Sequence, residues 1–304
     1  MKKREFASIL FLGGMMLAGM TACAGDDDPA DRPDDGVKVR RMTITQTDGV
    51  AARQVLTRAT LTEDDGLTAS WMAGDRLTYC NLNRTNPSDD DAAISGPLTA
   101  TSSAVTSQFT GDVACSVGDL LAVVYPATTF ETNDSYTISL TGQDGTLQTL
   151  ATKYHYIYGV AQVNSITDQT ADATMAKMKS LLTVCKFSFV DKATDAVIPI
   201  HKLSISYGGT GSDAGTYPQT GKVAIGASTA QTDVHASGNA SCAPLQLEGA
   251  GEAVFVALLP TGGQRTFNFT VTDDGGNTYT GTAKAKLTEG EYVEATDLKL
   301  TKQP

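Results

Sequence analysis

Beyond Val37 the chain runs in short segments with a period of two. In "VKVRRMTITQ" (37–46) Met42 and Ile44 fall on one face, and in "DRLTYCNLN" (75–83) Leu77 and Tyr79 do the same. "SYTISLTG" (135–142) alternates Tyr136, Ile138 and Leu140, and "KYHYIYGV" (153–160) alternates Tyr154, Tyr156 and Tyr158. Such alternation sets one face of a β-strand against a core and the other toward water. "DLLAVVYP" (119–126) is a continuous apolar run closed by Pro126, as a buried strand would be. "ADATMAKMKSLL" (171–182) breaks the rhythm. Met175, Met178 and Leu182 are spaced by three and four, which predicts a short amphipathic helix near the middle of the chain. Strands then resume: "TVCKFSFVD" (183–191), "KLSISYGG" (202–209), "KVAIG" (222–226), "AVFVALLP" (253–260) and "DLKLT" (297–301). The clearest hairpin is 266–287, where Phe267, Phe269 and Val271 lead into "DDGGN" and the pattern re-emerges at Tyr279. Its glycines supply the positive φ of a tight turn. Many short strands between turn signals predict an all-β chain of two sandwiches in series, over 37–174 and 175–304, with the one short helix near their junction.

The N-terminus follows other rules. Lys2, Lys3 and Arg4 precede 15 apolar or small residues, Phe6 to Met20. That is short for a membrane span, which needs about 20. A basic cap, a short apolar core and small residues before Cys23 read as an export signal over 1–22. "Met20-Thr21-Ala22-Cys23" resembles a bacterial lipobox, whose cysteine is acylated and becomes the new N-terminus. Each buried methylene adds roughly 0.8 kcal/mol of membrane affinity, and several acyl chains hold stably where one does not. Asp26, Asp27, Asp28, Asp31, Asp34 and Asp35, broken by Pro29 and Pro33, predict a disordered tether over 23–36. Asp26, Asp27 and Asp28, just behind the lipid cysteine, also resemble a surface-export signal. Together these features imply the outer membrane, with the chain displayed on its surface.

Composition narrows the function. The 304 residues carry a formal net charge of −11, which argues against nucleic acid as a partner. Thr, at 42 residues, suits half-solvated strands, and 29 Gly suit many turns. Cys80, Cys115, Cys185 and Cys242 are isolated, with no metal-ligand spacing, so no metal or cofactor is expected and no disulfide pairing is assigned. His155, His201 and His235 stand outside any catalytic motif. Asp64-Asp65 and Asp273-Asp274 lie in turn sequences, and "SDDDAA" (88–93) lacks the spacing of a calcium loop. The expectation is a protein that is not an enzyme.

Thr57-Arg58-Ala59, then Trp71-Met72-Ala73-Gly74-Asp75 leading into a strand, resembles the N-terminal hallmark of fimbrillin-like proteins of Bacteroidales. The resemblance continues in "MKSLLTVCKFSF" (178–189), "VFVALLP" (254–260) and "LTEGEYVEATDLKL" (287–300). It implies two transthyretin-like sandwiches, export as a lipoprotein and assembly into type V pili. It also implies an arginine-specific protease that removes a first strand, after which a strand from another pilin subunit fills the vacated groove. Here that first strand is about 37–47. Cleavage after Arg58 would release it whole, Arg53 is an alternative, and Arg40 and Arg41 lie within the strand. The last alternating strand ends close to Pro304, which suits a tip or accessory subunit. Two alternatives remain at this point: an uncleaved pilus anchor, and a monomeric surface lipoprotein binding glycan through Tyr154, Tyr156 and Tyr158.

Overall fold

Alternating runs become strands in the computed structural model, which describes residues 38–47, 60–64, 66–84, 94–132, 135–176, 178–226, 232–236 and 243–304. The first half contributes β1 (Val39–Gln46), β2 (Thr60–Asp64), β3 (Gly66–Ser70), β4 (Arg76–Asn81), β5 (Ser95–Ala100), β6 (Gln108–Ala114), β7 (Leu120–Tyr125) and β8 (Ser135–Ser139). After α1 (Leu147–Thr149) and a π-helical turn (Leu150–Tyr154) come β9 (Ile157–Ile166), β10 (Thr170–Met175) and β11 (Lys179–Ser180). The second half contributes β12 (Thr183–Asp191), β13 (Ile200–Tyr207), β14 (Thr220–Ile225), β15 (Thr232–Ala236), β16 (Leu245–Gly251), β17 (Ala253–Leu258), β18 (Arg265–Thr272), β19 (Thr278–Ala285) and β20 (Tyr292–Lys302).

These strands form two barrel- or sandwich-like units in series. In the first, the order is β10-β1-β6-β5-β4-β7-β9, and β9 pairs with β10 to close the ring. Closure gives every strand of the ring a neighbour on each side, through only two residue pairs between β5 and β6. Every pairing in it is antiparallel except β1 with β10. The inward faces carry Met42, Ile44, Leu77, Leu98, Phe109 and Leu121, packed around Trp71. The indole meets Phe109 at 4.9 Å and Tyr125 at 5.6 Å, both edge-on, a favoured aromatic geometry. Cys80, Ala122, Val124 and Tyr158, on the outward faces of β4, β7 and β9, belong to the second core instead. That two-sided burial explains why "LLAVVY" reads as an unbroken apolar run.

The second unit has the order β16-β13-β18-β19-β20-β12-β17, antiparallel except for β12 with β20. Phe187 and Phe189 stack in its core, and Phe269 meets both at a tilt. A smaller sheet, β15-β14-β8, pairs a strand from the first half with two from the second, and buries Tyr136 and Ile138. The hairpin of β18 and β19 forms in register, Thr272 opposite Thr278, around Gly276 at φ +81°.

Among the described residues, the one short helical segment lies near the junction as expected, but at 147–154 and not at 171–182 as the methionine spacing predicts. Met175 ends β10, and Met178 lies between β10 and β11. Both thioether side chains fill the space over Gly159, where a Cβ would approach Met175 Sδ to 2.6 Å and Met178 Cγ to 2.7 Å. Within β10 the burial alternates strictly, with Ala171, Ala173 and Met175 inward, so tertiary pairing overrides an accidental helical spacing.

Candidate functional site: the first strand and its groove

β1 begins the described part of the chain and lies between β6 and β10. Seven of its residues pair with β6 and six with β10. Met42 and Ile44 are completely buried, as the alternation predicts. Gln46, at the end of the strand, accepts a hydrogen bond from the Trp71 indole N–H at 3.0 Å, so the only tryptophan reads the presence of this strand directly. Burying two such side chains stabilises by roughly 1.5–3 kcal/mol each, and each ladder hydrogen bond adds about 0.5–1.5 kcal/mol. The Trp71 position itself is set by a turn. Gly74 takes φ +95°, and the Asp75 carboxylate accepts from the Met72 N–H at 2.8 Å, which is the work of the Trp-x-x-Gly-Asp spacing.

Arg40 and Arg41 are parts of this ladder. The Arg40 guanidinium donates to the carbonyls of Thr167 at 2.7 Å and Cys115 at 2.9 Å. Arg41 reaches outward to Asp112 at 3.4 Å, and its backbone is paired with both Thr170 and Asp112. Both lie within the part of β1 that is paired to its neighbours. Arg53, Arg58, Cys23, Asp26, Asp27 and Asp28 lie outside the described residues.

Just beyond Arg58 the β2–β3 hairpin is fastened to the second unit. Glu63 accepts from Lys186 Nζ of β12 at 2.5 Å and from the Tyr292 hydroxyl of β20 at 2.8 Å. Burial pushes the Glu63 carboxyl up, but the hydrogen bonds from Lys186 and Tyr292 outweigh it and hold the group below its ordinary value. Sequence patterning does not find this contact, because its partners are 123 and 229 residues away.

The three tyrosines do not form a platform. Tyr154 belongs to the π-helical turn and Tyr158 to β9, and both are buried in the second core. Tyr156 is half-buried, with its hydroxyl donating to the Ser139 carbonyl at 3.3 Å. The single-face reading fails because the strand starts only at Ile157. His155 is buried, whereas His201 and His235 sit at the surface beside Asp274 and Asp233. Asp273 caps its turn by accepting from the Asn277 N–H at 2.8 Å. Cys115 and Cys185 are buried free thiols, and burial pushes Cys185 up to about 12. Among the described residues, no three His, Cys, Asp or Glu side chains gather as metal ligands. No helix among them is long and apolar enough to cross a membrane.

No protein-family model and no curated protein matches the sequence. Solved structures do match its fold. A "putative cell adhesion protein" from Bacteroides uniformis ATCC 8492 superposes with a TM-score of 0.56 at 14% identity, over 90% of this chain and 98% of that one. A second protein of the same description, from Bacteroides ovatus ATCC 8483, gives 0.51 at 12% identity, over 88% of this chain and 96% of its own. At such identities the likeness is one of fold.

Proposed function

We propose that the chain is a fimbrillin-like structural subunit of surface pili, with an adhesive rather than a catalytic role. It is exported as a lipoprotein, acylated at Cys23 and carried to the outer surface by the Asp26–Asp28 run. An arginine-specific protease then cuts after Arg58, β1 leaves with the tether, and a strand from another subunit takes its place. The observation that carries this reading is β1 itself. It is the first strand among the described residues, paired on both sides within the ring, and it is joined to the rest of the chain through a segment that holds Arg53 and Arg58. The resemblance of Thr57–Asp75 to the fimbrillin hallmark, and the fold shared with two Bacteroides proteins described as "putative cell adhesion protein", support it.

The physical logic is that of a stored vacancy. Without β1 the facing edges of β6 and β10 lose their partners, and the slots of Met42 and Ile44 open to water. Unpaired edges and exposed apolar surface are both unfavourable, so a replacement strand is drawn in. The glycan-binding alternative has no platform left once Tyr154 and Tyr158 are in the core.

Mass spectrometry of the N-terminus on intact cells tests the proposal. Shed or polymeric material should begin at Ala59, and Arg58→Ala should hold the protein as a monomer. Finding only lipidated Cys23 in polymers, or polymers undiminished in Arg58→Ala, would remove cleavage at this site and leave the uncleaved anchor.

A further inference from the structure

β19 and β20 start as partners and then part. They pair at Tyr279 with Lys302 and Thr280 with Thr301 only. Each keeps its other neighbour, β18 along the whole of β19 and β12 along β20. The parting coincides with a bulge. The register of β20 on β12 slips between Phe187–Ala295 and Phe189–Leu298, which inserts one extra residue. Asp297 takes φ +56° there, and its N–H donates to Ser188 Oγ at 2.8 Å. Bulges bend the strand that carries them and end pairing.

Between the parted strands lies an apolar groove of about 200 Å³. Its walls are Ala283 and Ala285 of β19 and Val293, Ala295 and Leu298 of β20. Phe187 and Phe269 lie beneath. At the paired end, the inward residues Tyr279 and Leu300 are 8% and 1% exposed, whereas the wall residues are only half-buried.

We propose that this groove accepts an extended polypeptide segment of another molecule as an added strand, with small or medium apolar residues at alternate positions. Two strand edges face the gap, each bearing backbone donors and acceptors with no ladder partner across it among the described residues, and only another backbone can satisfy both. An acyl chain would cover the apolar floor and leave both edges unpaired. Because β19 and β20 are mutually antiparallel, the guest runs parallel to one and antiparallel to the other. Lys299 and Leu300 still cover Gly281, so the open stretch of β19 is 282–285, about 13 Å, and about two guest side chains point inward. This site is separate from the β1 groove and does not depend on cleavage.

The test uses the full chain carrying Cys23→Ser, which keeps acyl groups and detergent away. The probe is a short blocked peptide alternating valine and threonine between terminal lysines, read by amide hydrogen exchange and by titration. Saturable binding should slow exchange at the gap-facing amides of 282–285 and 292–298 at least tenfold. Ala283→Trp should weaken binding at least tenfold, and so should the gentler Ala285→Leu if the tryptophan variant does not fold. Thr282→Leu, on the outer face, should leave it unchanged. A peptide of the same composition with its valines consecutive should bind at least tenfold more weakly. Three results would overturn the proposal: gap-facing amides of 282–285 and 292–298 already protected in the free protein, equal binding by Ala285→Leu, or displacement of the peptide by a soluble fatty acid with no protection of either edge.

Discussion

The two terminal strands of the described chain are treated in opposite ways. β1 has a partner on each side along its length, points Met42 and Ile44 into a closed core, and is tied at its end to Trp71. β20 has one full partner, leaves its second after two pairs, and buries only Leu300 completely. Yet each runs parallel to a neighbour in a sheet that is otherwise antiparallel. A strand held on both sides leaves only if the chain is cut and something replaces it. A strand held on one side leaves its sheet open to addition without any cut. Under the proposed function, the difference corresponds to a triggered vacancy in the first unit and a standing one in the second.

The sharpest way to break this contrast is a matched pair of core truncations. Ile44→Ala should cost about 2–5 kcal/mol in denaturant unfolding, as large-to-small changes in a filled core do. Leu298→Ala, at the groove wall, should cost about 1 kcal/mol or less, since little burial is lost there. Equal costs would mean that β20 closes onto β19 in solution. Next in size is Gln46→Ala. It leaves the buried Trp71 N–H without this acceptor and should destabilise by about 1–3 kcal/mol, with a change in tryptophan emission. An unchanged spectrum would detach Trp71 from the state of β1.

The smallest effect is expected at Glu63, the contact that joins the two regions. Its carboxyl is lowered from an ordinary 4.5, so its contribution is complete above that value and is lost as the pH falls through the folded-state value. The Glu63 and Lys186 side chains are 27% and 23% exposed, so the contribution is under about 1 kcal/mol. Glu63→Gln should reduce stability slightly at neutral pH and flatten the acid limb between pH 4.5 and the lower folded value, measured by unfolding at a series of pH values. An acid limb identical to wild type would show that the contact does not form.

Much of the strand layout was legible in the sequence because its cause is local. Met42 with Ile44, Leu77 with Tyr79, and Phe267 with Phe269 share faces wherever their strands end up, and Asp-Gly-Gly turns wherever it is placed. What was not legible depends on partners far along the chain. Closure of the ring by β9 and β10, the insertion of β8 beside β14, and the Glu63 contact are matters of pairing, which period-two patterns do not encode. Spacing also misleads where two strands meet: Met175 and Met178 look helical only because a strand end and a connection both cover Gly159. The groove had a faint signature in "TAKAKL" (282–287), where the inward positions Ala283 and Ala285 are too small to fill the space beneath them.

The parallel pairing of β1 with β10 has a mechanical meaning. In a filament under tension, a hairpin gripped at its open end tears one rung at a time. Parallel neighbours pulled from opposite ends slide along their common axis instead, and a strand replacing β1 along the six paired residues of β10 would load them together. Rupture then waits on the simultaneous loss of the whole ladder, so lifetime under force follows the unfolding barrier more than the equilibrium stability. Any strand that later lies beside β10 in the same direction inherits that shear geometry, which favours a joint that holds against flow even where its equilibrium affinity is modest.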